Sequence, residues 1–285
     1  MMPAHPQKIS LGLPVAALAE REVVRFFRQR NRVVAAMVTP LVFWLMLGLG
    51  LDRALVVGGS SIGQAGHAGT GDGPAADAAA GVGYLAYFFP GIVVLMVLFT
   101  AIFTTISVIE DRREGFLQSV LVSPASRGSI VAGKALGGTV ITAFQAGLLL
   151  LLGVVLFGLP SWPALAGALL VLGLVTLGLT GLGLAFAWPM DSTAGYHAVM
   201  NLVLMPMWLM SGAVFPVETA SGPVKWIMLA NPLTYAQTLF TWWWTDGQTA
   251  PPPGGVIVSL AVAVGSAGVA LFAAAWVASR PEKGR

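Results

Sequence analysis

Six long stretches of the chain contain no Asp, Glu, Lys or Arg: Val33–Leu51, Tyr84–Ile109, Ala135–Leu159, Ala164–Trp188, Tyr196–Phe215 and Val256–Ala278. A helix needs about 20 apolar residues to cross a bilayer, and in hydrocarbon its backbone polar groups have to be paired within the segment. The runs are continuous rather than alternating, which selects helices over a β-barrel. Composition agrees. Of 285 residues, 56% are hydrophobic and 9% charged, with a mean hydropathy of +0.82; an ordinary soluble domain carries roughly 25% charged residues. That leaves too little polar surface for a soluble core of this size, and too much apolar surface for a disordered chain. The sequence predicts an all-α membrane protein: a tail over 1–32, six transmembrane helices within 33–278, and a second tail over 279–285.

Basic residues set the orientation of such a bundle. Lys8, Arg21, Arg25, Arg28, Arg30 and Arg32 precede the first run. Arg112, Arg113, Arg127 and Lys134 join the second to the third, and Arg280, Lys283 and Arg285 end the chain. With six spans these thirteen of fifteen basic residues share one side, leaving Arg53 and Lys225 on the other. Both termini are therefore expected in the cytoplasm, in a cell (inner) membrane. The same asymmetry accounts for the pI near 9.5 without nucleic-acid binding. The 32-residue charged segment ahead of the first run does not resemble a cleavable signal peptide.

Between the runs, residues 15–32 read as an amphipathic helix lying in the inner headgroup layer. Arg21, Arg25, Arg28 and Arg32 form a basic stripe opposite Ala16, Ala19, Val23, Phe26 and Phe27. The outer connection Asp52–Gly83 is Gly- and Ala-rich and is expected to be a flexible loop. In the inner connection Glu110–Lys134, Phe116, Leu117, Val120 and Leu121 recur at helical spacing until Pro124. This short helix suits either a lipid surface or a groove in another protein. Gly133 and Gly137, the glycines of the fourth run, and the Ala261–Gly265 pair allow close helix packing, within the bundle or against a second copy. Before the last run, Val224–Phe240 is apolar but interrupted at Asn231-Pro232, which predicts two re-entrant outer helices. Trp242-Trp243-Trp244 suits the outer headgroup layer, with a lipid- or carbohydrate-stacking role as the alternative.

Catalytic chemistry is poorly provided for. The chain has no Cys, and His5, His67 and His197 lack metal-ligand spacing. No G-x-x-x-x-G-K-[ST], G-x-S-x-G or H-E-x-x-H occurs. The runs hold Gln145 and Asn201 but no Asp, Glu, Lys or Arg, so no relay for an ion gradient lies at mid-depth. Energy for uphill movement should then come from another protein. Asp191 and His197 sit near the inner end of the fifth run, where an ordinary turn explains them.

The basic lead-in, the cluster Asp111-Arg112-Arg113-Glu114-Gly115-Phe116-Leu117 with Leu121 and Pro124, and Gly133-Lys134 resemble the ABC-2 family of permeases. These are the membrane subunits of ABC exporters. Ser211–Pro216, Trp226 and Asn231–Tyr235, with Pro232 between, resemble a second family phrase. The resemblance implies a second permease copy or paralogue, and a cytoplasmic ATP-binding cassette subunit that carries ATP and Mg. No cofactor or metal is expected on this chain, and no enzymatic activity. It also implies a coupling helix within Glu114–Pro124, docked through Phe116, Leu117, Val120 and Leu121 and oriented by Arg112, Arg113 and Glu114. The expected cargo is an amphiphile such as a drug, a lipid or a lipid-linked glycan. A stand-alone secondary transporter and, further behind, a membrane-embedded lipid-modifying enzyme are the rivals.

Overall fold

The computed structural model describes residues 12–57, 74–116 and 127–280, and these are helical with short connections. In chain order the helices are α1 (Gly12–Arg28), α2 (Arg30–Val57), α3 (Pro74–Thr105), α4 (Ser107–Arg113), α5 (Arg127–Phe157), α6 (Trp162–Ala187), α7 (Thr193–Trp208), α8 (Gly222–Ala230), α9 (Pro232–Trp244) and α10 (Gly255–Ser279). Five segments are long and apolar enough to cross a membrane: Arg30–Gly48, Leu85–Arg113, Gly128–Phe157, Trp162–Ala187 and Gly255–Ser279. The fifth expected run is divided. Its 16-residue helix α7 passes into a five-residue π-turn, Leu209–Ala213, where Gly212 takes φ +87°.

α3 is the axis of the bundle. Its apolar window is 89% buried, against 22% for α2 and for α10 at the periphery. Phe88, Phe89 and Ile92–Leu98 are enclosed by α2, α5, α6 and α9. Near one end Trp44, Phe89, Phe157 and Trp244 form an aromatic cluster, with ring centroids 5.4–6.3 Å apart. Gly153 lies directly beneath Phe89 and Trp244, where a larger residue would collide with both rings.

Several boundaries differ from those the sequence predicts. Helix continues to Val57 and resumes at Pro74, so the expected loop Asp52–Gly83 is helical at both ends; residues 58–73 lie outside the described residues. Pro74 is compatible with a first helical turn, and the Ala-rich segment behind it favours helix. The amphipathic segment 15–32 is two helices broken at Gln29, which puts Arg32 on α2. α5 starts at Arg127 rather than Ala135, bringing Gly133 and Lys134 inside a helix. The two short helices expected before the last run are present as α8 and α9, meeting at Asn231.

Small residues pack within the chain. An added side-chain carbon on Gly133 would lie 2.7 Å from Leu18 Cβ, and on Gly137 2.7 Å from Glu22 Cβ, so both glycines receive α1. Gly181 of α6 similarly meets the backbone at Ala270 and Leu271 of α10. Ala261 and Gly265, by contrast, lie on the exposed side of α10.

Candidate functional site: a buried charge cluster at one end of the bundle

Packing α1 onto the two glycines of α5 buries Leu18, Glu22 and Phe26, four residues apart on one stripe. The middle position of an otherwise apolar stripe is thus a carboxylate, and burial is costly unless it is paired. Lys134 supplies the pair. Its ammonium group donates to Glu22 Oε1 at 2.5 Å, to Asp111 Oδ2 at 2.7 Å and to Ser107 Oγ at 3.0 Å, using all three N–H groups while the residue is only 4% exposed.

Asp111, fully buried on α4, is the hub. Arg21 holds its carboxylate through Nη2 to Oδ1 at 2.8 Å and Nη1 to Oδ2 at 3.3 Å, and Arg25 Nη1 reaches Oδ1 at 2.5 Å. Arg25 also donates to Glu110 at 3.0 Å and to Glu114 at 3.3 Å. Burial works against the charge on Arg25, but Asp111, Glu110 and Glu114 outweigh it and hold the guanidinium above its ordinary range. Arg32 pairs with Glu110. Four cations (Arg21, Arg25, Arg32, Lys134) therefore meet four carboxylates (Glu22, Glu110, Asp111, Glu114). The cluster is neutral, which is what lets so many ions leave water together.

The other face of α4 is tied to the turn between α6 and α7. Arg112 donates to the carbonyls of Trp188 and Met190 and pairs with Asp191. Arg113 donates to the Asp191 carbonyl at 2.6 Å through Nη2 and at 3.0 Å through Nε. Beyond Gly115, whose φ is +74°, the Phe116 ring lies under the Arg21 guanidinium at 3.6 Å. Arg112, Arg113, Glu114 and Phe116 thus each have a partner within the chain. Leu117, Val120, Leu121 and Pro124 lie outside the described residues.

The basic stripe expected on α1 divides by function. Arg21 and Arg25 turn inward to α4, Arg32 joins them from α2, and Arg28 is exposed. Phe26 is buried, and Phe27 sits edge-on to Phe144 of α5 at 5.2 Å. Glu22, Glu110 and Lys134 are not among the site residues that the sequence points to. The signal for Glu22 was present, as an acid midway between Leu18 and Phe26 on the apolar stripe.

At the opposite end, Asn231 closes the gap between α8 and α9. Its Oδ1 accepts from the Leu233 amide at 3.0 Å, and its Nδ2 donates to the Met207 carbonyl at 2.6 Å. Pro232 occupies the first turn of α9, where a missing N–H costs nothing. Thr234 donates to Met210 O and Tyr87 to Gly212 O, so carbonyls of the π-turn find partners. Tyr235 donates to Leu229 O, while Trp226 is exposed. Trp244 is buried, and Trp243 packs over Gly167; the tryptophan run is therefore partly core.

Comparison with known proteins gives the following. The family model described as ABC-2 type transporter matches residues 14–244. The probable multidrug ABC transporter permease YbhR of Escherichia coli K12 is 28% identical over 134 residues, covering 47% of this chain and 36% of YbhR. The putative transport permease ycf38 of Cyanophora paradoxa is 30% identical over 154 residues, 53% of each chain. The chain thus spans 36% and 53% of these relatives' own lengths.

Proposed function

The chain belongs to the ABC-2 type transporter family, and from that premise we propose that it is the multi-pass permease subunit of an ATP-driven exporter, moved by nucleotide turnover on a separate cytoplasmic subunit. Its six spans are the five long apolar helices together with α7 and its π-turn. The end bearing the charge cluster faces the cytoplasm. The ATP-binding subunit docks on the segment Glu114–Pro124, and a second permease copy completes the translocation route. The cargo is an amphiphile that enters between apolar helices.

One observation carries this reading: the segment proposed to dock leaves α4 at the point where α1, α2, α5 and the α6–α7 turn are joined to α4 by ion pairs and hydrogen bonds. A displacement of α4 is passed to four other elements through contacts that are costly to break singly. Arg112, Arg113 and the Arg21–Phe116 contact hold the segment's root to the bundle, and Leu117, Val120 and Leu121 supply its apolar grip on the partner. ATP can shift the permease only if the partner prefers one of its conformations. Leu117→Asp with Leu121→Asp should abolish co-purification of the ATP-binding subunit. Asp111→Asn should leave docking intact while lowering transport per ATP hydrolysed. Unchanged docking and transport in both variants would refute the proposal.

A further inference from the structure

We infer that the elbow between α1 and α2 binds the phosphate headgroup of an anionic phospholipid. The inference rests on the reading that this end of the bundle lies at a membrane surface. Of the arginines near the elbow, Arg21, Arg25 and Arg32 are neutralised by the acids of α4. Arg28 in the last turn of α1 and Arg30 in the first turn of α2 are exposed and have no acidic partner among the described residues. Arg28 borders an open surface depression at the end of α1, lined also by Arg21, Val24, Arg25 and Gln29. Glu20, the exposed acid of α1, is eight residues before Arg28, about 12 Å along the helix.

Beside these two cations lie side chains of the opposite character. Val24, Phe27 and Val34 are exposed, Val24 by 51%. A soluble acidic ligand would satisfy the arginines and leave these side chains in water. A lipid with a negatively charged headgroup meets both, its phosphate at Arg28 and Arg30 and its acyl chains along Val24, Phe27 and Val34. Charge complementarity and the adjoining apolar surface together favour a lipid over free phosphate. The site would also steady α1, whose inner face carries Glu22 of the charge cluster.

The test uses the full chain in detergent with mixed phosphatidylglycerol and phosphatidylcholine, counting retained lipids by native mass spectrometry. The wild type should retain phosphatidylglycerol in preference, and inorganic phosphate should not displace it. Arg28→Gln with Arg30→Gln should reduce the preference roughly thirtyfold, as expected for two cations at an anionic surface. Arg28→Lys with Arg30→Lys should restore most of it, and Lys225→Gln, at an exposed position on α8, should leave it unchanged. A preference that survives in the folded double Gln variant overturns the inference. So does displacement by inorganic phosphate. The readout requires neither transport nor ATP, so it can fail while the permease reading stands.

Discussion

Glu22 of α1 accepts a 2.5 Å hydrogen bond from Lys134 of α5 across 112 residues of sequence, and both side chains are buried. The contact joins a helix outside the apolar runs to one inside them, and Asp111 on the same ammonium group brings in α4. Three elements that could otherwise move separately are thereby held at one point.

Lys134→Met would leave Glu22 and Asp111 buried with one cation fewer, at a cost of about 3–5 kcal/mol. Glu22→Leu combined with Lys134→Leu removes one charge of each sign and should recover most of that loss, because paired charges contribute little net stability beyond an apolar replacement. Thermal unfolding in detergent checks both. Equal destabilisation by the single and double changes would show that the ions are not coupled.

Gly137→Val forces a side chain against Glu22 Cβ and the Ala19 carbonyl, 3.1 Å from the built Cβ. It should lift α1 from α5 and destabilise by about 1–3 kcal/mol. Cysteine labelling at Leu18, introduced as Leu18→Cys, should become fast in that background. Gly265 has open space around it, so Gly265→Val should leave labelling slow.

Asn231→Ala removes an N-cap and the donor to the Met207 carbonyl, and should cost about 1–3 kcal/mol. Asn231→Asp keeps the cap to Leu233 but loses that donor, and should fall between wild type and Ala. An Asp variant as unstable as Ala would mean that the cap contributes nothing.

Asp246 ties the other end of the bundle, accepting from the Ser161 amide at 2.9 Å and from its hydroxyl. These hydrogen bonds hold its carboxyl below the usual range. The sign follows directly: with the folded value depressed, the contribution is complete above the unfolded value of about 3.9 and is lost as pH falls through the folded one. Exchange protection of the Ser161 amide, corrected for intrinsic rate, should therefore fall with acidification below that value. In Asp246→Asn the dependence should be absent.

Five long apolar helices are legible in the sequence because hydrocarbon imposes a length and an absence of charge on any segment that crosses it. The fifth expected run is continuous in sequence, and nothing in its apolar pattern marks the π-turn at Leu209–Ala213. Its stability depends on Asn231, Thr234 and Tyr87, which donate to carbonyls on the broken segment from elsewhere in the chain. The residues flanking the inner segment were legible as a pattern, but their partners were not. Arg21 and Arg25 read as a headgroup stripe because the acids that claim them lie more than 80 residues away. Gly133 and Gly137 signalled close packing without naming α1 as the partner. Periodicity reports which face is apolar; which helix covers it is decided by three-dimensional packing.

The central claim is that this chain is moved by ATP hydrolysed on another subunit. The direct measurement is uptake of a fluorescent amphiphilic dye into inside-out proteoliposomes containing the chain with or without its ATP-binding partner. Uptake is expected only with both subunits and hydrolysable ATP, and Asp111→Asn should lower the uptake per ATP hydrolysed. Uptake by the chain alone, driven by an ion gradient without nucleotide, would contradict it.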